Sequence, residues 1–156
     1  MSKPDELDMA ILDALQRDGR VSNAELARRL NLSPPAVHAR LRRLEEQGFI
    51  RGYVALLDRE ELGYDMLCFV NVSLQNHTLE QVQHFRTAVS QIPQVLECHF
   101  VTGEFDYLLK VVVRNRRELE QLVLEQLTPL PGVGRIHTSL VLAEVKSTTS
   151  LPLSER

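Results

Sequence analysis

Residues 21–53 read VSNAELARRLNLSPPAVHARLRRLEEQGFIRGY, and the reading of this stretch decides the fold. Ser22-Asn23-Ala24-Glu25 has the form of a capping box, with a hydroxyl to accept from an orphan amide and a glutamate three residues on to reach back. A helix is predicted to start there, with Leu26, Ala27 and Leu30 turned inward. Asn31 tolerates the left-handed backbone that a helix end needs, so the helix stops. Ser33 is a good N-cap, and Pro34 suits the first helical position, where its missing amide hydrogen costs nothing. Val37, Leu41 and Leu44 give the second helix one apolar stripe, while His38, Arg40, Arg42 and Arg43 occupy the rest of its circumference. Gly48 ends it.

Two short helices joined by about three residues, the second opening on Ser-Pro and carrying arginines, match a helix-turn-helix whose second member enters the DNA major groove. An amphipathic surface helix with a solvated basic face has the same composition. What favours DNA is position: Arg28, Arg29, Arg40, Arg42, Arg43 and Arg51 crowd one small unit. The formal charge of −3 says nothing of nucleic acid, but its distribution does. Residues 1–57 hold nine Lys/Arg against eight Asp/Glu, and the remainder holds nine against thirteen. Within the first third the acids crowd the opening helix and the arginines the later elements, which suits a module with one face toward phosphate.

Leu7, Ile11, Leu12 and Leu15 mark a bracing helix from Leu7 to Gln16, stopped by Asp18-Gly19, so the N-terminal unit is predicted to have three helices. Phe49 to Leu57, rich in β-branched and aromatic residues, reads as a strand leaving it, either a wing or a connector. Asp58 to Tyr64 reads as the boundary between domains. Beyond it the chain runs strand (66–74), helix (Leu79, Val82, Phe85, Val89, ended by Pro93), strand (95–102) and strand (107–113). A helix (Leu119, Leu122, Val123, Leu127) and a last strand ending near Leu142 complete it. This is the split β-α-β plan of a ferredoxin-like domain, with both helices on one face of a four-stranded antiparallel sheet. Alternation puts Leu96, Cys98, Phe100, Leu109, Val111, Ile136, Leu140 and Leu142 under the helices. It leaves Val95, Val101, Leu108, Val112 and Val141 on the open face with Glu97, Lys110, Arg135 and His137. An apolar open sheet face is expected to be covered, most simply by a second copy in a two-fold dimer. The fold class is thus α+β, with domains at 1–52, 65–145, a connecting strand and linker at 53–64, and a tail at 146–156 expected to pack on a neighbouring subunit.

Composition narrows the function. Cys68 and Cys98 are far apart in apolar contexts, with no Cys-x-x-Cys spacing, and read as reduced core thiols of a cytosolic protein. No apolar run approaches a membrane span of roughly 18 residues, and the start Met1-Ser2-Lys3-Pro4-Asp5 lacks a signal-type hydrophobic region. The histidines, His38, His77, His84, His99 and His137, show no metal-ligand spacing, and neither a nucleophile motif nor a phosphate loop is present. No metal, cofactor or catalytic residue is therefore expected.

The arrangement resembles the leucine-responsive and asparagine-responsive (Lrp/AsnC, feast/famine) bacterial transcription regulators along nearly the whole length. In the first domain the likeness rests on Leu7-Asp8-x-x-Ile11-Leu12, Asp18-Gly19-Arg20, Glu25-Leu26-Ala27, Leu32-Ser33-Pro34, Arg40-Leu41-Arg42-Arg43-Leu44-Glu45, Gly48-Phe49-Ile50 and Gly52-Tyr53. In the second it rests on Val101-Thr102-Gly103-Glu104-Phe105-Asp106-Tyr107-Leu108-Leu109 and Leu130-Pro131-Gly132-Val133. Asn31 departs from the pattern, which has Gly there. The resemblance implies a sequence-specific DNA-binding regulator, cytoplasmic and nucleoid-associated, that forms a homodimer and assembles to an octamer. Ser33 and Pro35 would meet the DNA backbone, and His38, Ala39, Arg40 and Arg43 would approach bases or phosphates, with Ser22, Arg28, Arg42 and Arg51 alongside. It implies further that a free amino acid, here expected to be leucine or methionine, binds at Thr102, Gly103, Glu104, Phe105, Asp106 and Tyr107, with Thr138 and Ser139 adding polar contacts. Physically, the glycine turn lets backbone amides approach a carboxylate, and Glu104 or Asp106 takes the ammonium; an ordinary hairpin turn has the same residues. Two alternatives share the architecture: a siroheme decarboxylase, with His99 and His137 on the open face, and an architectural DNA-binding protein indifferent to effector.

Overall fold

The structure is a computed structural model that describes residues 3–153; the first two residues of the N-terminal stretch and residues 154–156 of the tail lie outside them. The chain forms two units, one holding everything up to Leu56 together with the end from Lys146, the other Leu57–Val145.

In the first unit, helices α1 (Glu6–Arg17), α2 (Asn23–Leu30) and α3 (Pro34–Glu46) close on a core of Ile11, Leu26, Ala27, Val37, Leu41 and Leu44. Asn31 caps α2 at φ 52°, the left-handed conformation its short polar side chain tolerates. Ser33 caps α3 by accepting from the Ala36 amide, and Gly48 carries the chain away at φ 76°. The predicted box at Ser22–Glu25 is only half formed. Ser22 accepts from the Glu25 amide, but the Glu25 carboxylate turns to Arg28 and Arg29. The reciprocal box stands instead at Asp5 and Asp8 on α1, each side chain accepting from the other's amide.

No strand forms between Phe49 and Leu57. Phe49 and Ile50 donate to the Leu44 carbonyl, and from Arg51 the chain runs without a ladder partner, leaving Val54, Leu56 and Leu57 largely exposed. Strand propensity alone gives a lone segment nothing to pair with. Within the chain itself, the described part of the tail reaches α1. Leu151 sits on α1, where the Gln16 side chain donates to its carbonyl (2.8 Å) and accepts from its amide (2.9 Å).

The second unit has β1 (Met66–Leu74), α4 (Leu79–Ser90), β2 (Val95–Phe100), β3 (Tyr107–Val113), α5 (Arg116–Gln121) and β4 (Val133–Leu140), in the antiparallel order β2-β3-β1-β4. Helix α5 continues as a π-helical turn, Leu122–Leu127, and both of these end residues are buried. The helices cover Cys68, Val70, Val72, Leu74, Tyr107, Leu109, Val111 and Val113. Here the alternation read from β2 needs correction. Val95 opposes Val111 and Glu97 opposes Lys110, so Leu96 is the extra residue of a bulge. Val95 therefore packs against the core and Leu96 is exposed, the reverse of the expectation. Phe100, Leu140 and, past the end of β4, Leu142 are also exposed rather than covered. The open face mixes apolar and polar residues, with Leu108, Val112, Val141, Glu97, Lys110 and His137 on it as expected. Two of its rows across the strands read Glu97, Lys110, Phe69, Ser139 and His99, Leu108, Asn71, His137, and a third sets Val112 opposite Leu67 with Val141 bonded beside it.

Candidate DNA interface and effector turn

The Ser33 cap and Pro34 set the start of α3, and Val37, Leu41 and Leu44 turn its inner face to the core. Helical spacing then puts Pro35, Ala39, Arg42 and Glu46 in one outward line, with His38 beside it; all five are exposed. Arg42 Nε donates to Glu46 Oε1 (2.8 Å) in a pair open to water. Arg28 is likewise exposed and forked onto Glu25, and the two arginines on that carboxylate hold it well below the usual range, at about 2. Arg51 lies exposed just past α3, and near it Tyr53 Oη donates to Glu45 Oε1 (2.9 Å). Partial burial and that carboxylate push the Tyr53 phenol up to about 12.

Arg40 and Arg43 are placed differently. Arg40 Nη1 donates to Asp5 Oδ2 and Asp8 Oδ1, each at 2.7 Å, and its side chain is only 23% exposed. Arg43 Nη2 donates to Asp8 Oδ2. Asp8 itself is 1% exposed, the one buried acid among the described residues. Two arginines assigned to DNA thus hold α3 against α1. The sequence carried a signal for this: Asp8, Ile11, Leu12 and Leu15 lie at i, i+3, i+4 and i+7, which puts a carboxylate on α1's apolar face.

In the second unit the turn from Thr102 to Asp106 joins β2 to β3. Gly103 stands at φ 126°, which strains any side chain. Asp106 is committed locally: Oδ2 accepts from the Leu74 amide (2.7 Å) and Oδ1 lies 2.8 Å from His77 Nε2. Desolvation pushes its pKa up, but those two contacts outweigh it and the net direction is down. Glu104 pairs with Arg135 (2.6 Å), whose guanidinium lies over the Phe105 ring at 4.7 Å. Tyr107 is core, stacked near Phe85 and Phe100, with its hydroxyl accepting from Arg86 Nε. Thr138 and Ser139 fall on opposite faces of β4, opposite Val70 and Phe69. The turn therefore gathers Glu104, Phe105, Arg135 and Asp106, while Tyr107 and one of the Thr138–Ser139 pair point elsewhere. His99 and His137 share a row three strands apart, roughly 14 Å at the usual strand spacing.

A model of the winged helix-turn-helix DNA-binding domain matches residues 4–51, and one of the Lrp/AsnC ligand-binding domain matches residues 67–151, more than half of the chain. The chain belongs to the Lrp/AsnC family. It is 43% identical over 152 residues to the leucine-responsive regulatory protein of Escherichia coli, covering 97% of this chain and 93% of that one. A transcriptional regulator from Neisseria meningitidis, solved as its L-Met complex, superposes with a TM-score of 0.93 at 38% identity, covering 97% and 98% of the two chains. An AsnC family regulator from Agrobacterium tumefaciens gives 0.91 at 32% identity, covering 96% and 97%. This Lrp/AsnC protein is a DNA-binding transcription regulator with an amino-acid-binding domain. Among the described residues no group of His, Cys, Asp or Glu is placed to hold a metal, and no helix is long and apolar enough to cross a membrane.

Proposed function

We propose that this regulator binds promoter DNA as a homodimer, assembles further to an octamer in the cytoplasm on the nucleoid, and changes its binding or assembly with free leucine or methionine. The observation that carries the reading is the turn Thr102–Asp106, pinned to β1 by the Leu74–Asp106 bond and backed by Arg135 and Phe105. It lies in a domain whose solved relative was captured with L-Met, in a chain whose curated relatives are named for leucine. With Asp106 committed, the carboxylate and ammonium of the amino acid meet Arg135 and Glu104 after their mutual pair opens, a cheap exchange for an exposed pair. A helix as short as α3 makes few contacts alone, and pairing of chains presents two to a palindromic site. Coupling then follows from unequal affinity of the amino acid for two assembly states.

The test is a thermal-shift screen of the twenty amino acids on the full chain, followed by DNA gel shifts with the one that raises Tm most. Leucine or methionine should lead and should change the retarded fraction. A flat screen with intact DNA retention removes the sensing claim and leaves an architectural protein.

A further inference from the structure

We infer that Asp8 determines which α3 side chains read DNA, by withdrawing Arg40 and Arg43 from the groove and leaving base discrimination to Arg42, Ala39, His38 and Pro35. The inference rests on the DNA-binding reading of this helix and deepens it. The Asp8 carboxylate is enclosed, and the three donors it accepts come from the Asp5 amide, Arg40 and Arg43. A buried carboxylate is tolerable only while its counter-charges stay. Each arginine that left it for a phosphate would strip charge compensation from a group water cannot reach, so the gain at the DNA is set against a loss inside the protein. Arg40 has least freedom, because Asp5 holds it on the outer side as well.

Arg42 has the opposite situation. It stands on the outward line of α3 with its side chain 73% exposed, and its partner Glu46 is itself in water, so trading that partner for a guanine edge or a phosphate costs little. Arg forked onto guanine and a methyl-bearing side chain against thymine are the contacts by which a helix in the major groove discriminates bases, and Arg42 and Ala39 lie one turn apart on that line. Asp8 is thus a positioning residue. It sets the rotation of α3 about its axis through two ion pairs while touching no DNA.

The experiment enriches a random duplex library on the wild-type full chain, then compares one enriched duplex with its scrambled version by anisotropy between 50 and 200 mM salt. Arg42→Ala should lower the enriched-to-scrambled affinity ratio about tenfold, the size of one good base contact. Arg40→Ala should leave that ratio within about twofold while lowering Tm. Asp8→Asn, which keeps the shape and the capping acceptor, should free the two arginines: the salt slope steepens, by up to roughly 0.9 for each one that reaches a phosphate, and the ratio falls. A slope change is something a merely structural role would not produce. A folded Asp8→Asn with unaltered slope and ratio overturns the inference, as does an Arg40→Ala that loses discrimination as strongly as Arg42→Ala at unchanged Tm. If Asp8→Asn fails to fold, the Arg40–Arg42 contrast still decides. A wild type that enriches no duplex fails the DNA-binding reading itself, a result distinct from all of these.

Discussion

At Asn31 the family pattern has glycine, and the reason this chain manages without it is local. A left-handed residue with a Cβ costs roughly 1–2 kcal/mol unless its side chain eases the conformation, as Asn does. Asn31→Ala at φ 52° is therefore expected to lower unfolding free energy by about 1 kcal/mol, and Asn31→Gly to be close to neutral, both read by urea denaturation. Glu25 makes a second residue-scale prediction. Its carboxyl titrates at about 2 rather than near 4.5, so its contribution is whole above pH 4.5 and is lost as pH falls toward 2. Tm followed from pH 6 to pH 2 should fall less steeply in Glu25→Gln than in the wild type; parallel curves would show the Arg28 and Arg29 contacts to be idle. Asp106 has the same sign, its pKa lying below the ordinary range, so the turn it anchors should also loosen on acidification.

Among the elements, helix ends and helix faces are legible in the sequence, because caps and apolar stripes are local: Ser33, Pro34, Val37, Leu41, Leu44 and Gly48 stand where the pattern puts them. What escaped depends on partners distant in sequence. Strand propensity in Phe49–Leu57 does not say whether a ladder partner exists. A bulge at Leu96 is decided by the register with β3 and reverses two faces at once. Nothing in the neighbourhood of Arg40 announces Asp8, 32 residues earlier, as its partner. In the candidate effector turn, Gly103 and the acids were readable, but the commitment of Asp106 to Leu74 and His77 was not. The two cysteines test the strand assignment. Cys68 on β1 is buried, whereas Cys98 on the outer strand β2 is exposed rather than the core thiol its apolar context predicts; desolvation, partial at Cys98, raises both thiols above their usual pKa. Thiol titration at pH 8 should find Cys98 reacting slowly in the native protein and Cys68 only in denaturant. Equal native rates would mean that β1 is not the core strand.

For the whole molecule, the decisive fact is that the chain passes between its two units twice, leaving the first after Leu56 and returning to it at Lys146. The ligand-binding domain model runs to residue 151, yet Leu151 is held on α1 by both ends of the Gln16 amide. A tail belonging by sequence to the sensing domain is thereby fastened to the DNA-binding unit, where α1 also carries the Asp8 anchor of α3. The chain beyond β4 offers a route to α1 that avoids the connector after α3, with the Gln16–Leu151 hydrogen bonds as its last link, and a signal from the proposed effector turn is expected to use it. Being exposed, the pair contributes little to stability, at most about 1 kcal/mol, so Gln16→Ala should fold with nearly unchanged Tm. The ratio of DNA affinities with and without the amino acid, 5- to 150-fold being roughly the range of allosteric couplings, should then shrink toward one. Anisotropy titrations of wild type and Gln16→Ala on one duplex, each with and without the amino acid chosen by the thermal screen, give that ratio directly. An undiminished ratio in the variant would assign the signal to the connector or to assembly and remove the tail from the route.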